Sequence, residues 1–426
     1  MWEEYKTIDN RIIRPLDGFE FILTSGFLYV TDYFDFFDTT NFINNCNNNL
    51  TKIEPFNYSL KKMNNHLFWI KKPFKILIEE KEYSEKEEYE NFLQEESKII
   101  VPGMSLTDPE EKDILLLFKF VICQLKNKKT KLTLYVNHVI CDGRTIFSIF
   151  DIIRKIINNE IIEYDKIEDK LCSFGQLSNY NDINPELYKK VPENWLEISK
   201  TKLHLLPKVN TPIHYINQHF IYDYLSISKF TQENKVSVQA MLTAMITRAV
   251  RKFLKLDKNQ KIWNNTPCDS RPSKFSNENM KKRIFFCGAS SVFPEIIGKE
   301  NLLEDIKYCY QEIKNAVNRL EHVIGILLLG NSLDATSFQF KPIEGFPNFN
   351  LNPITTSSNI GRVNGNTPLF GLCYDCPGED YSYGIYSYHT EDKLFIMVLK
   401  PINSDKEFDT IVQTEMNLIF NLKEKI

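Results

Sequence analysis

The sequence predicts a mixed α/β protein built as two lobes. Its 426 residues, 42% of them hydrophobic, can bury a large core but exceed what one ordinary core holds. Both halves of the chain mix strand-like and helix-like runs at a similar scale. A polar, weakly patterned stretch separates them at residues 158–203. We therefore expect an N-terminal lobe over residues 1–180, a crossover over 181–205 and a C-terminal lobe over 206–426.

In the first half, the clearest pattern is an antiparallel hairpin. Two β-rich runs, 114–125 and 131–139, flank a short polar segment. The second run leads through a polar turn into apolar residues spaced as in a helix, from Ile146 to Ile157. The acidic segment 79–97 is rich in helix-forming residues, so we predict a helix with a solvated face there.

In the second half, strands and amphipathic helices follow one another. The strongest helix begins just after Ser237, a residue type that favours the N-cap position. The predicted elements are a strand at 214–224, a helix at 236–253, strands at 261–265 and 283–293, a helix at 302–320, strands at 355–363, 368–374, 381–389 and 393–399, and a helix at 406–422. Both halves thus need both element types.

Charge and composition exclude several functional classes. Lys plus Arg number 52 against 56 Asp plus Glu, so the net charge of −4 offers no field for a nucleic acid, and we expect no such partner. No apolar run approaches the roughly 20 residues of a membrane span. Cys373 and Cys376 form a single CxxC without a second ligand pair, so we predict no metal site. The N-terminus is unlike a signal peptide, and we expect a cytoplasmic monomer.

One constellation points to chemistry: His138, Asp142 and Gly143, in the arrangement HxxxDG. Histidine titrates near neutral pH, so His138 is suited to take a proton from a hydroxyl or amine and return it to a leaving group. Asp142 can fix the loop that carries the imidazole, and Gly143 permits the backbone of the turn. The alternative is that His138 only ends a strand and Asp142 only caps the following helix.

Four segments in order along the chain carry a family resemblance. They are RPLDGFE at 14–20, HVICDG at 138–143, Asp269-Ser270-Arg271 with the later Gly288, and TTSSNIGRV at 355–363. They resemble the RPL…E opening, the HxxxDG motif, the D-x-R element and the SN-x-G strand of an acyltransferase superfamily. Its members include chloramphenicol acetyltransferase, condensation domains of nonribosomal peptide synthesis, plant BAHD acyltransferases and fungal alcohol acetyltransferases.

Two departures narrow the resemblance to one branch. Asn137 stands where peptide condensation domains usually carry a first histidine. The DFGWG element of BAHD enzymes is absent. The chain is therefore most similar to the alcohol acetyltransferase branch.

The resemblance implies two similar chloramphenicol acetyltransferase-like lobes with a tunnel between them and His138 at its middle. It implies that His138 is the general base and that Asp142 is chiefly structural, paired with either Arg14 or Arg271. Short donors on the SN-x-G strand become candidates for holding the oxyanion or the thioester. These candidates are Ser357, Ser358 and Asn359.

The implied function is an acyltransferase that moves an acyl group from an acyl thioester to an alcohol or amine acceptor. The co-substrate is acyl-CoA or acyl-phosphopantetheine, and no permanently bound cofactor is expected. No covalent acyl-enzyme is expected either, because the chain has no G-x-S-x-G elbow. Two alternatives remain: a condensation-type enzyme that depends on a carrier protein, and an inactive small-molecule-binding protein on the same scaffold.

Overall fold

A computed structural model describes most of the chain. Apart from four isolated residues, the described ranges are 3–24, 26–64, 66–75, 78–83, 107–125, 129–163, 215–276, 288–325, 355–365, 368–374, 383–401 and 406–421. Within them the chain forms three β-sheets covered by helices, so the predicted mixed α/β architecture is confirmed. None of the described helices is long and apolar enough to cross a membrane.

The α-helices, in chain order, are α1 (Glu3–Ile8), α2 (Gly18–Leu23), α3 (Thr39–Leu50), α4 (Gly143–Ile157), α5 (Tyr224–Glu233), α6 (Val238–Phe253), α7 (Leu302–Asn318) and α8 (Lys406–Asn421). The strands are β1 (Ile12–Pro15), β2 (Gly26–Asp35), β3 (Tyr58–Met63), β4 (His66–Lys71), β5 (Ile78–Tyr83), β6 (Ile114–Leu115), β7 (Phe118–Leu125), β8 (Lys129–Asn137), β9 (Tyr215–Asp223), β10 (Ile262–Asp269), β11 (Ala289–Val292), β12 (Glu295–Ile296), β13 (Thr355–Arg362), β14 (Leu369–Tyr374), β15 (Tyr383–His389) and β16 (Lys393–Pro401).

The first half forms a five-stranded sheet with the order β14-β2-β8-β7-β5. Its centre is the predicted hairpin, which is confirmed because β7 and β8 pair antiparallel. Helix α4 follows the hairpin and buries an apolar stripe that includes Ile146, Ile149 and Ile153. This stripe joins one large core with α3 and the sheet. A separate four-stranded sheet, β1-β4-β3-β6, carries its own small core.

The second half forms a seven-stranded sheet, with β12 paired to β10 at one edge of the order β11-β10-β13-β15-β16-β9. Helix α6 lies on β13 and β15, and α7 and α8 flank it. Ser237 caps α6 as predicted, because its side chain accepts a hydrogen bond from the backbone N–H of Ala240 at 3.1 Å. This helical layer and one face of the sheet form the second core.

Strand β14 belongs to the second half of the chain but to the sheet of the first. It pairs antiparallel with β2, from Leu369 opposite Thr31 to Tyr374 opposite Gly26. One strand of the predicted lobe 206–426 therefore lies in the sheet of the first half, because the backbone groups at the edge of β2 pair with those of β14. Apart from Glu186 and Glu193, the predicted crossover at 181–205 lies outside the described residues, and the boundaries themselves stay a prediction.

The helix predicted over the acidic segment 79–97 is wrong for its first residues. Residues 79–83 lie in β5, which pairs parallel with β7, Ile78 opposite Phe120. A free edge on β7 supplies hydrogen-bond partners for this backbone, and that pairing outweighs the helix propensity of Glu and Lys. The rest of the segment lies outside the described residues.

Candidate functional site

His138 sits in the turn that joins the end of β8 to the start of α4. Its backbone N–H donates to the carbonyl of Gly26 at 2.8 Å, which ties the turn to the start of β2. The side chain of the preceding Asn137 stabilises the turn through two hydrogen bonds. Its Nδ2 donates to the Thr24 carbonyl at 3.0 Å, and its Oδ1 accepts from the N–H of Val139 at 3.0 Å. Asn137, which stands at the position of the first histidine of HHxxxDG, thus shapes the loop.

The environment of His138 favours a neutral imidazole. Burial lowers the pKa of its ring below the usual 6.5, and this outweighs the raising effects of its own backbone, of the Asp142 charge and of the Cys141 backbone. Its Nδ1 is shielded from solvent and makes no hydrogen bond with the described residues. A ring that is neutral at neutral pH has a lone pair ready to accept a proton.

Both carboxylate oxygens of Asp142 accept hydrogen bonds from groups other than His138. Oδ1 accepts from the N–H of Thr145 at 2.8 Å, which caps α4, and Oδ2 accepts from Arg271 Nη1 and from the Gly288 N–H, each at 2.8 Å. Burial raises the pKa of this carboxyl. The Arg271 charge and these hydrogen bonds together lower it by a larger amount, so the pKa lies below its ordinary value. No hydrogen bond joins the described side chains of Asp142 and His138. Asp142 therefore holds the turn.

Arg271 joins the turn to the second half of the chain. Its guanidinium also donates to Thr145 Oγ1 at 2.9 Å and to Asp269 Oδ1 at 3.0 Å. Gly288 lies against it: a Cβ on that residue would come within 2.7 Å of the guanidinium carbon. Only glycine leaves room for the guanidinium while its N–H reaches Asp142.

A second ion pair and a close backbone approach lie beside the first. Arg144 Nη1 donates to Asp269 Oδ2 at 2.9 Å, so the start of α4 contacts the last residue of β10 as well as Arg271 just beyond it. On the other side, a Cβ on Gly143 would lie 2.9 Å from Cδ1 of Ile360 on β13. The first turn of α4 therefore rests on the ends of two parallel strands of the second sheet.

The arginine named in the RPL…E segment does not reach this site. Arg14 pairs with Glu20, whose two carboxylate oxygens each lie 2.7 Å from a guanidinium nitrogen. Asp142 bonds to Thr145, Arg271 and Gly288, so the expectation that Arg14 is its partner is wrong. Six residues of chain bring Glu20 to Arg14, whereas Asp142 faces the second half of the chain.

The three candidate donors on β13 point in different directions. Ser357 is fully buried and its hydroxyl lies within 2.8 Å of Gln239 Nε2, Thr243 Oγ1 and Asn264 Nδ2, so it faces α6. The expectation that Ser357 holds the oxyanion is wrong, because strand alternation turns it into the second core.

Asn359 also has its side-chain oxygen in use. Its Oδ1 accepts from Ser387 Oγ at 3.0 Å and from the Gly361 N–H at 3.3 Å. Ser358 is half-buried and its hydroxyl makes no hydrogen bond with the described residues. Ser358 shares a strand face with Ile360, which touches Gly143. Of the three candidates, Ser358 is the one with a free hydroxyl on the face of the turn.

Gln239 is a structural residue of this site that the sequence did not indicate. From the first turn of α6 its Nε2 donates to the Ser357 carbonyl at 3.0 Å, and its Oε1 accepts from the Asn359 N–H at 2.7 Å. It therefore fixes β13 at the level of Ser358. A glutamine in the first turn of an amphipathic helix carries no sequence signal for this role.

Cys141 lies in the turn itself, and the remaining candidates lie away from it. Cys141 is fully buried, as a small space-filling residue would be. Within the described ranges, no group of three or more His, Cys, Asp or Glu side chains could hold a metal ion, and Cys376 lies outside those ranges. A polar cleft of about 310 Å³ includes Asp35 and Lys129, at the end of β8 opposite His138.

Comparisons with known proteins show the fold. No protein-family model matches the sequence, and no curated protein matches it. The epimerization domain from the third module of tyrocidine synthetase B matches with a TM-score of 0.65 at 13% identity, over 97% of this chain and 98% of that one. The starter condensation domain of rhizomide synthetase RzmA, in complex with C8-CoA and Leu-SNAC, matches with a TM-score of 0.64 at 9% identity, over 98% and 96%.

The first condensation domain of the calcium-dependent antibiotic synthetase, in complex with a substrate analogue, matches with a TM-score of 0.66 at 9% identity, over 98% and 94%. Each match spans nearly the whole of both chains. At these identities the likeness concerns the fold. The chain has the two-lobed fold of condensation domains.

Proposed function

We propose that this chain, which has the condensation-domain fold, is an acyltransferase that moves an acyl group from a thioester to an alcohol or amine. The observation that carries the proposal is that two residues of the turn have different roles: the His138 ring is available for proton transfer, and Asp142 holds the backbone. His138 is held neutral by burial, and the Asp142 carboxylate is fully engaged with Thr145, Arg271 and Gly288. A turn that only capped a helix would not need two ion pairs to the other half of the chain.

In this mechanism His138 acts as the general base. It takes the proton of the acceptor hydroxyl or amine as the acceptor oxygen or nitrogen forms a bond to the thioester carbonyl carbon. The carbonyl oxygen becomes an oxyanion, to which the free hydroxyl of Ser358 is the candidate donor. Collapse breaks the carbon–sulfur bond, and the proton passes from His138 to the leaving thiolate. Both substrates would reach the histidine through a tunnel between the lobes.

Asp142 and Arg271 are positioning residues in this proposal. They hold the turn against the ends of β10 and β13 and touch no reacting atom. Acyl-CoA is the proposed donor, and the nearest branch is that of the alcohol acetyltransferases. The condensation domains among the structural matches support a second candidate, in which the donor is acyl-phosphopantetheine on a carrier protein.

The test is release of free thiol from acyl-CoA in the presence of a panel of alcohols and amines. We expect His138→Ala to lower the rate by about 10²–10⁴-fold, the usual contribution of a general base. Circular dichroism and the thermal midpoint should stay unchanged, because Nδ1 of the ring makes no hydrogen bond with the described residues. The matched control is His66→Ala, in the four-stranded sheet, which should keep the wild-type rate.

The possible results separate the candidates. Full activity in a folded His138→Ala protein contradicts the mechanism. Turnover of a carrier-bound acyl group but not of acyl-CoA favours the condensation-type enzyme. If the wild-type protein binds the substrates and releases no thiol from either donor, it is a binding protein on this scaffold.

A further inference from the structure

Strands β10 and β13 treat their polar side chains differently on their two faces. On the inner face, which packs under α6, every polar group is paired. Asn264 Nδ2 donates to Ser357 Oγ at 2.8 Å and to Thr266 Oγ1 at 2.7 Å. Asn264 Oδ1 accepts from Thr355 Oγ1 at 2.9 Å. The polar side chains of the inner face therefore satisfy one another's hydrogen-bonding groups.

On the outer face of the same two strands, four side chains with polar groups have no partner among the described residues. We call Trp263, Asn265, Thr356 and Ser358 the outer polar patch. None of these side chains makes a hydrogen bond with the part of the chain that the structure describes. Trp263 Nε1 and Asn265 Oδ1 are moreover shielded from solvent. Asn265 and Thr356 lie directly opposite each other in the parallel pairing, so their side chains are neighbours.

This face is the one that meets the catalytic turn. Asp269 on β10 bonds to Arg144, and Ile360 on β13 touches Gly143. At about 3.3 Å per strand residue, Ser358 lies about 7 Å from Ile360, and Thr356 lies about 13 Å from it. The outer polar patch thus lies between about 7 and 13 Å from this contact along the sheet.

Polar atoms that are shielded from water nearly always have a partner, so the unpaired Trp263 Nε1 and Asn265 Oδ1 need an explanation. Chance does not explain them well, because the polar side chains on the inner face of the same strands all have hydrogen-bond partners. The side-chain amide of Asn265 and the hydroxyl of Thr356 each offer a donor and an acceptor. A secondary amide or a hydroxyl in a ligand offers the complementary groups.

We propose that the outer polar patch binds an amide- or hydroxyl-bearing segment of a substrate, about 7–13 Å along the sheet from the contact between Ile360 and Gly143. This inference rests on the proposed function and names a substrate class for it. The segment belongs either to the acceptor or to the pantetheine arm of the donor. Asn265 and Thr356 are then specificity-determining residues.

The two faces supply matched pairs of variants. Asn265→Leu and Thr356→Val remove polar groups of the outer face, and Asn264→Leu and Thr355→Val remove their neighbours on the inner face. One set of assays compares a linear primary alcohol with an alcohol of equal length that carries a distal amide, with acetyl-CoA as donor. The other compares acetyl-CoA with the acetyl thioester of N-acetylcysteamine, a truncated donor, at a fixed acceptor.

For Asn265→Leu and Thr356→Val we expect the preference in kcat/KM for the amide-bearing or full-length substrate to fall by up to about tenfold, as one lost hydrogen bond allows. The inner-face variants should lower the thermal midpoint and leave both preferences unchanged. A change in the acceptor assays assigns the segment to the acceptor, and a change in the donor assays assigns it to the pantetheine arm.

Two results would overturn the inference. If the wild-type protein is active and neither outer-face variant changes either preference, the patch is not a subsite, while the proposed function stands. If the wild-type protein releases no thiol from acyl-CoA, from the truncated thioester or from a carrier-bound acyl group, both proposals fail. The isosteric valine pair keeps the comparison possible if a leucine variant does not fold.

Discussion

At the scale of single residues, Asp142 and Arg271 form the more buried of the two ion pairs that join the turn to the second half of the chain. Both side chains are only 3% exposed, and together they hold the helix cap and the Gly288 N–H. A buried ion pair adds little stability compared with apolar residues, but removing one partner leaves an uncompensated charge. Arg144 and Asp269 form a second pair nearby, in which the Arg144 side chain is 65% exposed.

This difference predicts unequal effects for two similar substitutions. Arg271→Met should lower the free energy of unfolding by about 3–5 kcal/mol, because Asp142 stays buried and ionised. Arg144→Met should cost at most about 1 kcal/mol, since water screens the exposed pair. Urea unfolding measures both. Equal losses would contradict the role assigned to the buried pair.

At the scale of elements, strand β14 ties the two halves together. Two side chains of the second sheet hold it while it pairs with the first. The Tyr388 hydroxyl accepts from the Phe370 N–H and donates to the Pro368 carbonyl, each at 2.9 Å, and Asn217 Nδ2 donates to the Leu372 carbonyl at 3.0 Å. The ring of Phe147 on α4 packs on Tyr388 with centroids 5.2 Å apart.

Tyr388→Phe should therefore loosen β14. Tyr388 is fully buried, so the change leaves an N–H and a carbonyl without a partner and should cost about 1–3 kcal/mol. Hydrogen exchange of the β14 amides should speed up accordingly. Tyr310→Phe, at a 37% exposed position on α7, is the control and should change nothing. Unchanged exchange in Tyr388→Phe would show that the hydroxyl does not hold the strand.

At the scale of the whole molecule, buried histidines make stability depend on pH. Burial lowers the pKa of His219 and of His322 to about 4 each, against 6.5 in an unfolded chain. Between these values the unfolded chain binds more protons than the native one, so stability is full above pH 6.5 and falls as the pH drops towards 4. Hydrogen bonds from Arg11 and Lys72 lower the pKa of Glu111 to about 2, and those from Lys72 and the backbone outweigh burial and lower that of Asp108 to about 2. The stability that these two carboxylates add is therefore lost only at pH values more acid than those at which the histidines act.

We expect the free energy of unfolding to fall by about 1.4 kcal/mol per pH unit for each such histidine between pH 6.5 and 4.5. Urea unfolding across that window measures the slope. His322→Gln removes one titrating group, so its slope should be shallower by about that amount, whatever its stability at pH 7. A parallel slope for the variant would mean that His322 titrates normally in the native state.

Local patterns were sufficient to predict most elements and the turn that carries His138. The hairpin β7–β8, the helices α4, α6, α7 and α8 and, apart from β12, the strands of the second sheet fall where the hydrophobic period places them. This success has a local cause, since helix and strand periods and the N-caps Asp142 and Ser237 depend on residues close in sequence. The mixed α/β class follows from the same patterns.

Only the tertiary structure decided the contacts between distant residues. It paired Asp142 with Arg271 and not with Arg14, turned Ser357 into the core and left Ser358 facing the turn. It also made β5 a strand and placed β14 in the sheet of the other half. A strand takes its hydrogen-bond partners from far along the chain, and its register decides which side chains face which side. Composition and spacing carry neither piece of information.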